Sequence, residues 1–339
     1  MVWKLLSGRS KPDKVAADDM RADLGTVPGT PLFADRASAR LALRFMRQVL
    51  GEPELLPGHT LLAEKMALDD LRRRCIDQPL TDDMVPRLPA VVPQVLRTLR
   101  QPKTSAEDLA RVISGDTTLV SDVVRLANSP GLGVGRKIDS LSQAVVLLGD
   151  SGLRRLLMTA AMRPIIDARS GLISADGASR LWRKNQRAAL AADFLAQRLA
   201  TPRFAAFLSG LLSQIGLLVL ARALAASGQP GFRSVSAPFL VELDTLARRV
   251  AVRVCEQWEM PALVTATAGA LAGDASAGAP GKLVQVVLAA DLLARYALLD
   301  ESGALEEAED ADGFGLEGVS ETLAAACLAA MREADAAAA

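Results

Sequence analysis

Residues 206–224, AFLSGLLSQIGLLVLARAL, pose the question that decides the fold. From Phe204 to Ala221 the chain carries no charge, yet Ser213 and Gln214 sit at the centre of the run. A membrane span, a buried core helix or the remains of a polar site would each leave such a pattern. A span needs ~20 apolar residues, and this run is about that long. Gly210, Ser213, Gln214 and Gly216 interrupt it, no second convincing span exists, and amphipathic segments with capping residues surround it. We therefore read a core helix. Its polar pair should hydrogen-bond to neighbouring helices, since a buried polar group left unpaired costs ~1–3 kcal/mol.

The rest of the chain supports a helical core. At 339 residues it is long enough for one large domain or two smaller ones. Half of it is hydrophobic, mostly Ala, Leu and Val, with 4% aromatics and a single Tyr. Strong helix formers dominate and period-two alternation is scarce, so the expected fold class is all-α. The opening MVWKLLSGRSKPDKV lacks the apolar stretch of a secretory signal. Cys75, Cys255 and Cys327 are odd in number and far apart, which points to neither a disulfide frame nor a zinc site. A reducing cytoplasmic setting is expected. Net charge is zero, but residues 300–339 hold eleven acids and one base, Arg332, which leaves 1–299 basic. That acidic end reads as a solvated tail.

Residues 1–30 mix charge, Gly and Pro without periodicity and read as a mobile arm. Residues 31–84 read as a helical extension, with helices over 35–50 and 61–77 separated by GEPELLPGHT. Beyond 85 the capping chemistry becomes regular. Ser105 with Asp108, Asp116, and Ser140 with Gln143 each mark a helix start. Gly149 stands where a left-handed C-cap belongs. Further helices are expected at 178–200, 239–258, after Met260-Pro261, at 282–299 and at 319–334.

The stretch VPRLPAVVPQVLRTLRQPKTSAEDLARVISGDTTLVSDVVRLANSP, followed at 137–157 by KIDSLSQAVVLLGDSGLRRLL, resembles the first half of an HDOD (HD-related output) domain. The matching residues are Leu88-Pro89, Asp116, Leu126-Ala127-Asn128-Ser129, Ile138, Ala144 and Leu148-Gly149. LWRKNQRAALAADFLA at 181–196, with Trp182, resembles the family's Leu-Trp helix. FLSGLLSQIGLLVL, with Gly210 and Gly216, resembles its Gly-Leu-Leu-His-Asp-Ile-Gly segment, and EQWEMPALV its Trp-x-x-Pro step, here Trp258 and Pro261. The resemblance implies an all-α domain over about 85–334, with a first lobe at 85–165 and an HD-like lobe at 166–334.

It also implies where a metal would have been. HD phosphohydrolases hold metal through His and Asp. Here Ser213-Gln214 stands at the His-Asp pair, Lys184 or Asn185 near the preceding His, and Ala247, Gly269 and Ala270 where many HDOD chains keep His. Serine is a poor neutral ligand, and a lysine brings a like charge toward a cation. The one His, His59, lies outside the domain in a Gly-Pro loop. No carboxylate pair at useful helical spacing is evident in 180–270. The expectation is a non-catalytic module without cofactor or metal. Lys184, Asn185, Ser213 and Gln214 would line a degenerate cleft, which in a second reading binds an anion or nucleotide without cleaving it.

Other signals read as structural. Gly131, Gly133 and Gly135 do not form a phosphate loop, because no G-K-[ST] accompanies them. Ser209 and Ser213 have no His to build a catalytic relay. Arg36, Arg40, Arg44 and Arg47 form one basic stripe, and Arg180, Arg183 and Arg187 another. Both read as solvated surface or as a face for an anion or a partner; nucleic acid is disfavoured, because base-stacking aromatics are absent. Implied partners are signalling proteins, among them second-messenger components, or a second copy in a homodimer. No membrane span is expected.

Overall fold

The computed structural model describes residues 36–56, 58–98, 106–114, 117–128, 137–166, 173–227, 232–305 and 316–336. The arm at 1–30, Ser105, Asp116, Ser129 and the three glycines at 131–135 lie outside the described residues.

The helices fall close to the expected positions. They are α1 (Arg36–Val49), α2 (Leu62–Arg72), α3 (Val91–Thr98), α4 (Ala106–Ile113), α5 (Thr117–Ala127), α6 (Leu141–Ile166) and α7 (Ala175–Arg198), then α8 (Arg203–Leu211), α9 (Ile215–Ala226), α10 (Ala237–Gln257), α11 (Ala262–Leu271), α12 (Gly281–Glu301) and α13 (Glu321–Ala336). Two details depart from the sequence reading. The second helix does not run uniformly to 77, because Arg73–Asp77 widens into a π-helical turn. Glu54–Leu56, read as a break, forms β1, which pairs in parallel with β2 (Ser234–Ser236).

Helices α3 to α6 make up the first lobe. Ser140 accepts the Gln143 N–H at 3.2 Å, and the Gln143 amide oxygen accepts the Asp139 N–H at 2.8 Å, so the start of α6 is capped from both sides. Gly149 adopts φ 61° and kinks α6 there, a conformation that an L side chain resists. Asn128 shows why the Leu-Ala-Asn-Ser motif ends as it does. Its side-chain amide donates to the Ile138 carbonyl at 2.5 Å and accepts the Ile138 N–H at 2.7 Å, imitating a peptide across the connection. Leu148 packs against the core, as do Leu88 and the buried Trp182. Pro89 accepts the Val92 N–H at 2.9 Å.

The second lobe is built on α7, α8, α9, α10 and α12 around an almost wholly apolar interior. The Trp258 indole N–H donates to the Pro86 carbonyl at 3.1 Å and joins the Leu-Pro opening to the end of α10. Pro261 caps α11 immediately after it.

The extension is fused to this lobe. α1 packs on α12, α7 and α10, and α2 on α10 and α9. The buried Glu64 carboxylate accepts the Leu61 N–H, the Ser236 N–H and the Ser236 hydroxyl, all at 2.7–2.8 Å. Arg253 donates to the carbonyls of Cys75, Ile76 and Gln78 at 2.7–2.8 Å, closing the π-helical turn.

The opening run is a correction. It is two helices, α8 and α9, with Leu212, Ser213 and Gln214 in the turn between them. Composition alone would allow 203–226 to cross a membrane, but 83% of its most apolar window is buried inside the protein. Two glycines set the turn's position. A Cβ on Gly210 would lie 2.6 Å from the Ala188 carbonyl oxygen on α7, and one on Gly216 1.8 Å from that of Ala247 on α10. The backbones touch because no side chain separates them. Gly216→Ala should therefore cost about 3 kcal/mol or more through forced helix separation, read as a lowered urea midpoint. A midpoint matching wild type would refute the contact.

Candidate functional site

The turn at 212–214 places Ser213 against α7. The Ser213 hydroxyl accepts from the Lys184 ammonium at 2.8 Å, and lies 2.7 Å from the Gly210 carbonyl and 3.2 Å from the Asn185 amide oxygen. Its single proton serves one of these acceptors at a time. Gln214 begins α9 and is buried with its side-chain oxygen unpartnered within the described protein. Lys184, Asn185 and Ser213 are thus hydrogen-bonded neighbours, Gln214 follows Ser213 in the chain, and of the four Ser213 alone lines the adjoining cavity. Lys184 and Asn185 are fully enclosed.

The sequence reading missed the acids. The Lys184 ammonium forms an ion pair and hydrogen bond with Asp291 of α12. Asp291 also accepts from Arg295 Nε at 2.9 Å and lies 3.7 Å from Arg248 of α10. Arg248 Nε donates to Asp244 at 2.8 Å, and Arg295 reaches the other oxygen of Asp244 at 3.4 Å. Five ionisable side chains thereby form one closed network within the protein, with Phe45 of α1 stacked under Arg295 at 5.2 Å. Asp291 lies beyond residues 180–270, and its partner across the network is Asp244 on a different helix. A signal was available: Asp244/Arg248 and Asp291/Arg295 repeat one i, i+4 pairing on two helices, the second pair within an otherwise apolar stretch.

Burial works against ionising the two acids, but the surrounding cations win. Arg295, Lys184 and Arg248 hold Asp291 well below the usual carboxylate range, and Arg248 with Arg295 does the same for Asp244. Burial pushes Lys184 down to about 8 against the attraction of Asp291.

This arrangement does not fit a divalent metal. The carboxylates that would bind one are already neutralised by Arg and Lys, and Lys184 brings its own charge onto Ser213 and Asp291. Among the described residues no group of three or more His, Cys, Asp or Glu is placed to hold a metal ion. The cavity beside Ser213, lined also by Ser209, Arg248, Cys255 and Asp291, measures about 30 Å³. Nucleotide-sized ligands occupy pockets of ~300 Å³ or more.

Most arginines of the two stripes have partners within the protein. Arg183 pairs with Glu301 at 2.6 Å, and Arg187, which is buried, pairs with the same carboxylate. Arg180 donates to Gln48 at 3.1 Å, Arg44 to the Ala304 carbonyl at 3.5 Å and Arg47 to the Pro53 carbonyl at 3.1 Å. Arg40 is half-buried on the same helix, and Arg36 opens it. Arg44, Arg183 and Arg187 join α1 and α7 to the C-terminal end of α12, where a helix dipole favours positive charge. Arg187 departs from the reading as a solvated face, whereas Arg183 stays exposed and lines, with Arg180, a cavity of about 370 Å³.

The helical fold packs α7, α8, α10 and α12 around the turn at 212–214. The chain belongs to the HDOD family: the HDOD domain model matches residues 85–270. An HDOD domain protein of unknown function from Geobacter sulfurreducens has a similar structure, with 20% identity and a TM-score of 0.53 over 80% of this chain and 89% of that one. A Shewanella amazonensis SB2B protein, provisionally named a metal-dependent phosphohydrolase, gives 18% identity and a TM-score of 0.56 over 82% of this chain and all of its own. An uncharacterised protein of Treponema pallidum (strain Nichols) is 27% identical over 143 residues, 42% of this chain. The matched stretch spans about a quarter (27%) of that relative's length.

Removing one member of the network exposes the rest. Asp291→Asn leaves Lys184 without its carboxylate and should cost about 3–5 kcal/mol in urea unfolding. The stability that Asp244 and Asp291 contribute is present above about pH 4 and is lost as pH falls through their depressed folded values. Lys184 acts in the opposite limb. Between about pH 8 and the unfolded value near 10.4, the unfolded chain holds a proton that the folded one has released, so stability rises with pH across that window. Denaturation midpoints of Lys184→Met should lack this alkaline rise; a rise of wild-type size would remove Lys184 as its source.

Proposed function

We propose that this chain is a non-catalytic signalling module of the HDOD family that works through protein contacts in the cytoplasm. One observation carries the reading: the Lys184 ammonium is fixed between Ser213 and Asp291, at the place the resemblance assigns to a metal site. A metal-dependent hydrolase needs a cation with an open position that lowers the pKa of a bound water. An ammonium has no coordination position to offer, and the two arginines beside it are already shared between Asp244 and Asp291.

Family membership supports a regulatory role, and the engaged network supports the absence of turnover. The cytoplasmic setting agrees with three free, buried cysteines. Burial pushes the thiols of Cys75, Cys255 and Cys327 up to about 11, 12 and 12, so none is poised for redox chemistry. Contacts with signalling partners or with a second copy would then use outer helical surfaces, with the network holding the helices that present them. The extension is part of that body, so removing residues 1–84 would destroy a surface rather than detach a tether.

The test is direct. Purified protein incubated with manganese, magnesium or ferrous ion should retain no stoichiometric metal after desalting, and should leave cyclic dinucleotides and p-nitrophenyl phosphodiesters uncleaved above background. Retained metal together with turnover that Lys184→Met increases would overturn the reading.

A further inference from the structure

We propose that the cavity beside Arg248 binds one small monovalent anion of halide size. Three observations converge on it. The buried network holds Lys184, Arg248 and Arg295 against Asp244 and Asp291, which leaves one positive charge in excess when all five are ionised. An uncompensated charge inside a protein is costly, and the usual remedies are a counter-charge or loss of a proton. Second, Arg248 Nη2 and the Ser209 hydroxyl are buried, lack a hydrogen-bond partner within the described protein, and belong to residues lining the same cavity. Arg248 is 94% buried, since its relative exposure is 6%. Third, the cavity measures about 30 Å³, with the side chains of Leu212, Val264 and Leu271 among its walls.

Size and wall chemistry select the ligand class. Room for about two water-sized bodies admits a chloride or bromide ion. A phosphate or sulfate carries four oxygens and would need donors that apolar walls do not supply. A guanidinium is weakly hydrated, and so gives up its water more readily to a soft, weakly hydrated anion. Asp291 also lines the cavity, but one of its oxygens is taken by Lys184 and the other by Arg295. A water molecule there would satisfy the donors and leave the excess charge in place.

This inference deepens the reading of the cleft as filled by its own cations, and its test is separate from turnover. Thermal unfolding is followed at fixed pH and ionic strength while sodium chloride or bromide replaces sodium gluconate, with sodium sulfate as control. The expected result is a saturable, halide-specific rise in Tm of about 5 °C at a hundredfold excess over Kd. Ala268→Leu fills the cavity without touching a charge and should abolish that rise, and Ser209→Ala should weaken halide affinity severalfold. Wild-type crystals soaked in bromide should show an anomalous peak beside Arg248, which needs no variant. Equal Tm values in gluconate and halide, or a soaked crystal without that peak, would overturn the proposal. In that case the excess charge is discharged by loss of the Lys184 proton.

Discussion

Asp244, Arg248, Asp291 and Arg295, closed into a ring between α10 and α12 with Lys184 of α7 attached through Asp291, are the constraint on which this structure turns. Each charged group in that ring is acceptable only because the others are there. Taking a carboxylate or a guanidinium out of water costs several kcal/mol, and the return depends on geometry that only the assembled helices provide. Asp244 and Arg248 share one helix, Asp291 and Arg295 another, and Lys184 comes from a third. The network therefore specifies how the three helices sit, and it gives the second lobe a polar centre inside an apolar core.

The turn between α8 and α9 serves the same centre. Gly210 and Gly216 let its flanking helices touch α7 and α10 backbone to backbone, and this proximity brings Ser213 onto Lys184. The extension closes the far side. Phe45 of α1 lies under Arg295, and the Arg180, Arg183 and Arg187 face binds the end of α12 to α1 and α7. What looks in sequence like an appendage is in the fold packed on the helices that carry the charged network, with Phe45 in contact with Arg295. Positive charge at this centre is supplied by the chain's own side chains, and the network is part of the framework.

The sequence by itself determined the helical class, the element boundaries within a few residues, and the lobe carrying the Leu-Pro, Asn128 and Gly149 features. It did so because these are local: caps, left-handed glycines and 3.6-residue periodicity act over one or two turns. The resemblance also pointed to Lys184, Asn185 and Ser213, which the fold joins by hydrogen bonds. Tertiary structure alone decided the rest. An apolar run of 206–224 reads the same as one helix or as two, and only the close approach of Ala188 and Ala247 forces the break. An arginine reads as solvated until a carboxylate from a helix more than a hundred residues away is set against it, as Glu301 is against the buried Arg187. The pairing of Asp291 with Lys184 spans 107 residues. Sequence records which charges exist, but whether they face water or each other is a property of packing.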